Sequence, residues 1–149
     1  MDFSNPQELA DHFIAAFYPY FTHRDENLLK FYSEDAIIMR VTANPIKFSK
    51  SDPKILYRIA LYCKWGTTFS IASYQILPIQ LNQGQGFQLL VTGVMKNSQS
   101  ENRPFLHNFV LQQVQNRLFI VYDYFHYLSQ NSKPSFPIPN PINNVYSLN

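Results

Sequence analysis

The chain has little cysteine, glycine or charge. Its single cysteine, Cys63, excludes an intramolecular disulfide and any metal site built from thiolates alone. With only four glycines there is no glycine-rich phosphate loop; Gln83-Gly84-Gln85-Gly86 reads as a turn. Charged residues are 15% of the 149 and the net charge is +2, with Lys and Arg scattered singly, so there is no basic footprint for nucleic acid. The four histidines show no metal-ligand spacing. No apolar run reaches membrane-spanning length. The start, MDFSNPQEL, has neither a basic leader nor an apolar signal core. These absences lead to the expectation of a soluble, intracellular, single-domain protein without a cofactor.

What the chain does have is aromatic residues, 13 Phe and 10 Tyr among 16% aromatics. They concentrate in Pro104 to Leu128, PFLHNFVLQQVQNRLFIVYDYFHYL. That stretch reads as two strands joined at Gln115-Asn116-Arg117, in residue types that suit a pleated, half-buried surface. A hairpin this apolar does not stand alone in water, so the rest of the chain must cover one of its faces.

Asn5-Pro6-Gln7-Glu8 is a helix start, with Asn5 as cap and Pro6 preset for the first turn. Leu9, Phe13, Ile14, Phe17 and Phe21 then share one helical face. Pro19 is expected to kink that helix or end it near Tyr18. A short second helix follows over Glu26 to Phe31, and Ser33-Glu34-Asp35 turns into a strand over Ala36 to Val41. Asn44-Pro45 reads as a turn. A third helix starts at Ser51 or Asp52 with Pro53 in its first turn and stops near Trp65-Gly66. Strands over Thr68 to Leu77 and Phe87 to Lys96 lead into the hairpin. The expected architecture is α+β, with three helices of the N-terminal half on one face of a curved antiparallel sheet. It spans residues 1–128. Residues 129–149, rich in Pro and Asn, form an extended tail.

Four patches resemble the nuclear transport factor 2-like family. Phe13-Ile14-Ala15-Ala16-Phe17-Tyr18 is similar to its first-helix motif, and Leu28-Leu29-Lys30-Phe31-Tyr32 to its second. Phe105-Leu106-His107-Asn108-Phe109 resembles Phe-x-Gln-x-Phe with His107 in the Gln place. Asp123-Tyr124-Phe125-His126 resembles Asn-Asp-x-Phe-Arg with His126 in the Arg place. The resemblance implies a bent sheet wrapped around the first helix, leaving a conical cavity. It further implies a dimer, homo- or heteromeric, formed through the sheet, for which His107, Phe109, Leu111, Ile120 and Tyr122 are the candidate residues. Members of the family carry Ran-GDP, bind nucleoporin Phe-Gly repeats, partner an mRNA export receptor, or act as adaptors in ribonucleoprotein granules and deubiquitinase complexes. The Ran contact uses acids in the loop before the Phe-x-Gln-x-Phe strand. Here Asn97 to Arg103 holds one acid and ends in a base, which argues against Ran-GDP.

The adaptor subgroup lines a Phe-Gly peptide slot with three Phe, which fall on Phe13, Phe31 and Phe125. Ala16, Phe17 and Leu29 lie beside them. These residues either pack the core or leave a slot between helix and sheet. The implied role is a non-catalytic adaptor in nucleocytoplasmic transport or mRNA export, located in cytoplasm and nucleus at the pore. The alternatives are a granule or deubiquitinase adaptor, and an isomerase or dehydratase of the same fold. In the enzyme reading Asp123, His107 and Tyr18 would line a polar, enclosed cavity.

Overall fold

A computed structural model describes residues 4–41, 43–64, 66–99 and 101–128, together with the backbone of 145–147. Helix α1 (Pro6–His23) starts as its sequence dictates, with Asn5 Oδ1 accepting from the Glu8 amide at 3.2 Å. It buries Leu9, Ala10, Phe13, Ile14, Phe17, Tyr18 and Phe21, a stripe at helical spacing. Pro19 does not end it. The carbonyl that Pro19 leaves without a donor belongs to exposed Ala15, where water can serve it. Side chains refasten the last turn. The Thr22 hydroxyl donates to the Tyr18 carbonyl at 2.7 Å and His23 Nδ1 donates to the Pro19 carbonyl at 2.8 Å. Arg24 then closes the helix in the left-handed region at φ 51°.

A 3-10 helix (Glu26–Phe31), capped by Asp25 Oδ1 on the Asn27 amide, carries the chain back across the sheet. Strand β1 (Tyr32–Arg40) begins earlier than its apolar pattern suggests, because Ser33 to Asp35 form an irregular stretch within the strand instead of a turn. Asn44-Pro45 lies inside β2 (Ala43–Lys47), which pairs only with β1. An edge strand has no partner for one row of amides, so Pro45 costs it nothing there. Helix α2 (Ile55–Ile59) is far shorter than the expected run to Trp65-Gly66. The carbonyls that would prolong it are spent on arginines: Arg40 Nε donates to the Ile59 carbonyl at 2.9 Å and Arg24 Nε to the Ala60 carbonyl at 3.1 Å.

Strands β3 (Thr68–Leu81), β4 (Gly84–Lys96), β5 (Asn102–Val114) and β6 (Arg117–Tyr127) form the expected four-strand meander. β3 runs on past Leu77 through Pro78, on a stretch paired only to β4. Gln115, at φ 56°, makes the tight turn of the β5–β6 hairpin. A short β7 (Val145–Ser147) pairs with Thr68 to Ser70 of β3, and the rest of the expected tail lies outside the described residues. The sheet order is β2-β1-β6-β5-β4-β3-β7. β1 runs parallel to β6, so the sheet is mixed and not antiparallel throughout.

The space between α1 and the sheet is filled. Phe17, Phe21, Phe69, Phe105, Phe109 and Phe125 are each fully buried, and their rings meet in a continuous network, with neighbouring centroids 5.1–6.1 Å apart. Burying each such ring contributes about 1.5–3 kcal/mol. Most of the described phenylalanines are thus core residues.

Candidate functional site

Two places on this scaffold concentrate chemistry: a buried polar cluster and an open apolar slot. The cluster centres on Asp123. A bulge in β6 creates it: Val110 pairs with Tyr122 but Leu111 pairs with Ile120, leaving Val121 as the extra residue. Without the bulge Asp123 would alternate onto the outer face; with it, Asp123 turns inward beside His107. Asp123 Oδ1 accepts from Arg40 Nη1 at 2.9 Å and from His107 Nε2 at 2.6 Å. Its Oδ2 accepts from the Tyr32 hydroxyl at 2.5 Å and from Arg40 Nη2 at 3.1 Å. The Tyr18 hydroxyl meets His107 Nδ1 at 2.9 Å. A neutral imidazole protonated on Nε2 satisfies both contacts, accepting from Tyr18 and donating to Asp123.

The electrostatics agree with that assignment. Burial alone would raise the Asp123 pKa, but Arg40 and then His107 outweigh it and hold the carboxyl well below the usual range. Burial lowers His107 despite the adjacent carboxylate. Burial raises Tyr32, with the Asp123 charge adding to it. The result is an ionised Asp–Arg pair with a neutral His107 and a neutral Tyr32, and each carboxylate oxygen of Asp123 is engaged twice. Asp123, His107 and Tyr18 are fully buried and packed under Phe21, Phe109 and Phe125. The enzyme reading needs the carboxylate to face a cavity; here it faces arginine, histidine and tyrosine. Arg40, the largest charge in the cluster, is absent from the expected site residues. Its signal was a lone charge within the apolar run Ala36 to Val41.

The slot lies at the other side of α1, at the tip of the β5–β6 hairpin. Its volume is about 320 Å³ and its walls include Phe13, Ala16, Tyr20, Phe31 and Leu118, with Lys30 and Arg117 at the rim. Phe31 stands edge-on to Phe13 at 5.9 Å and to Tyr20 at 6.1 Å. Ala16 is exposed and contributes an open floor where a larger residue would fill the space. Arg117 stacks over Phe119 at 4.9 Å, which braces the rim.

The structure therefore brings Phe13, Ala16 and Phe31 together and separates the other three expected slot residues from them. Phe17 is fully buried behind Phe31, at 5.6 Å. Leu29 packs half-buried against the core. Phe125 is fully buried and stacked on Phe105 at 5.3 Å. It lies seven residues along β6 from the slot-lining Leu118, or about 23 Å at the usual strand rise. Leu118 occupies the strand's place in the slot.

The expected dimer residues also divide. His107, Phe109, Leu111 and Ile120 are fully buried on the inner face of the sheet and cannot meet a partner. The parity of β5 groups the first three correctly but does not say which face points to α1. The β6 bulge puts Ile120 and Tyr122 on opposite faces although they are two residues apart. The outer face presents Ile37, Met39, Leu90, Val110, Tyr122 and Tyr124, all half-buried and uncharged. The Tyr122 hydroxyl contacts Met39 Sδ at 3.1 Å. Of the candidate interface residues, Tyr122 alone belongs to this face.

A helix laid in the bend of a mixed sheet, with its interior packed and a slot at the hairpin tip, defines an α+β domain of the nuclear transport factor 2-like kind. The nuclear transport factor 2 (NTF2) domain model matches residues 9–127, and the chain belongs to that family. A search of curated proteins finds no match. Among solved structures, the yeast Ubp3-associated protein Bre5 is similar at TM-score 0.66 and 15% identity, over 84% of this chain and 98% of that one. Bre5 is also seen in complex with the yeast deubiquitinase Ubp3, as its cofactor. An NTF2-like protein of unknown function from Pseudomonas putida is similar at TM-score 0.69 and 12% identity, over 90% and 99%. A putative scytalone dehydratase from Novosphingobium aromaticivorans gives TM-score 0.52 and 8% identity, over 93% of both chains. The fold thus serves both protein-binding cofactors and enzymes, and these likenesses speak to fold alone.

Proposed function

We propose that this protein is a non-catalytic adaptor that takes short aromatic peptides of the Phe-Gly type into the slot beside Phe13 and Phe31, and pairs through the outer face of its sheet with a second NTF2-like domain. The observation that carries the reading is the slot itself. It is open, aromatic-walled and large enough for one aromatic side chain and its neighbours, while the groups with catalytic chemistry are sealed in the core. An aromatic anchor in such a slot supplies most of the binding energy of a short peptide. Nucleocytoplasmic transport or mRNA export is the process we assign, with nucleoporin-like segments as ligands in the cytoplasm and at the nuclear pore. A ribonucleoprotein-granule or deubiquitinase adaptor is the second reading, favoured by the likeness to Bre5. The uncharged outer face, with Ile37, Leu90, Val110 and Tyr122, supports the pairing.

Calorimetric titration with a Phe-x-Phe-Gly peptide and a Phe-Gly-Asp-Phe peptide tests the reading, with Phe31→Ala beside the unaltered protein. Saturable binding that Phe31→Ala abolishes is the expected result, and the preferred peptide separates transport from granule or deubiquitinase roles. Absence of binding to both peptides, with Phe31→Ala still folded, would overturn the slot assignment.

A further inference from the structure

At the end of the β5–β6 hairpin away from the slot lies a second concavity of about 300 Å³. Tyr62, Lys64, Asn97, Glu101, Arg103 and Tyr127 form its working surface. Its walls are aromatic: Tyr62 and Tyr127 meet edge-on at 4.9 Å. Its rim is held by Asn97, whose Oδ1 accepts from the amides of Gln99 at 2.9 Å and Glu101 at 3.0 Å. The cation within it is incompletely used. Arg103 lies over the Tyr127 ring at 5.1 Å, and its Nη2 is 3.6 Å from Glu101, a loose ion pair longer than a hydrogen bond. Arg103 Nε is buried without any acceptor, the one such side-chain atom among the described residues. A buried guanidinium donor left unpaired is costly.

We infer that this concavity is a second binding site, for a carboxylate carried on a small aromatic or branched apolar body. A planar carboxylate matches the edge of a guanidinium and accepts two parallel hydrogen bonds, here from the terminal Nη1 and Nη2 of Arg103, whose side chain is partly exposed. Lys64, exposed at the rim, adds a second positive charge, and the two tyrosines give the apolar body a surface to lie on. With Glu101 the only acid on this lining, the local balance is positive by one, which suits a monoanion better than a phosphate dianion. The volume is at the lower limit of small-molecule sites, about 300–1,000 Å³. The shared chemistry has two sources, a free organic acid or the C-terminal carboxylate of a peptide. The site is independent of the slot: β5 and β6 hold the two about 30 Å apart.

Two-dimensional amide NMR of the whole chain tests the inference, with phenylacetate as the free acid, N-acetyl-Ala-Phe as the peptide carboxylate, and phenylacetamide as the uncharged control. Saturable shifts at Lys64, Asn97, Glu101 and Tyr127 with the acids and not with the amide are expected. Arg103→Gln weakens that binding roughly tenfold or more, and Lys64→Gln, at an exposed position, weakens it less while leaving the spectrum otherwise unchanged. Tighter binding of phenylacetate marks a small-acid site, and tighter binding of the peptide marks a C-terminus site. Equal shifts with phenylacetamide, shifts confined to the Phe13–Phe31 slot, or acid binding unaffected by both substitutions would overturn it.

Discussion

The interior cluster and the surface slot are opposites. Around Asp123 the chemistry is buried: a carboxylate, an imidazole, a guanidinium and two phenols hydrogen-bond to one another, and Arg40 also holds the Ile59 and Met39 carbonyls. Around Phe31 there is room with little chemistry: mostly aromatic and aliphatic walls, with His12, Asn27 and Asn116 beside them and two cations at the rim. One bend of the sheet can be an enzyme cavity when its polar groups face a void. Here phenylalanines fill that void, and the same polar groups become the fastening of β1 to β5, β6 and α1. What remains accessible is suited to holding a partner.

The largest effect expected from breaking the contrast lies in the cluster. Asp123→Ala strands the Arg40 guanidinium in the core, and removing one member of a buried pair costs about 3–5 kcal/mol. Urea unfolding should show a midpoint lowered by most of the protein's stability, or no folded state at all. An unchanged midpoint would mean that the cluster is not structural. Phe31→Ala comes next. Truncating a central anchor costs about 2 kcal/mol or more of binding, some thirtyfold in Kd, while circular dichroism retains the fold because Phe31 is only half-buried.

The pH dependence is smaller and has a definite sign. His107 is held neutral in the folded state, its pKa below the ordinary 6.5. Below pH 6.5 the unfolded chain takes up a proton there that the folded chain refuses, so stability falls as pH falls. The slope approaches about 1.4 kcal/mol per pH unit for this one group, until the folded pKa is reached. Asp123 adds no loss in that window. Its folded pKa is depressed, so its contribution is present above the unfolded value of 3.8 and is lost only in stronger acid. Urea unfolding at pH 7.5 and pH 5.5 should show the decline, and His107→Gln should remove it. The smallest effect is at the slot rim. Arg117→Ala, at an exposed position, should weaken an acidic peptide by about 1 kcal/mol or less, and added salt should erase the difference.

Much of the fold was legible where the signal is local. Asn5-Pro6 starts α1 and the Gln115 turn sets the hairpin register, each through the chemistry of a few adjacent residues. The prolines misled because their effect depends on neighbours. Pro19 sits on a turn whose lost bond faces water, and Pro45 and Pro78 sit where, among the described residues, the strand has no partner on one side. The short α2 was not readable either, since Arg24 and Arg40 claim its terminal carbonyls from distant parts of the chain. For the candidate slot, Phe13, Ala16 and Phe31 came from the family resemblance on two helical segments that the fold brings together. Phe125 is not brought there, because it lies seven residues along β6 from the slot-lining Leu118, and the face of Ile120 was not legible, because the bulge at Val121 puts it on the opposite face from Tyr122.

Ligands are expected to meet the surface slot and not the interior. Amide NMR during titration with a Phe-Gly-Asp-Phe peptide tests it directly. Saturable shifts are expected at Phe13, Ala16, Phe31 and Leu118, with the amides of His107 and Asp123 unmoved. Shifts centred on His107 and Asp123, with the slot silent, would contradict it and return the cluster to candidacy as an active site.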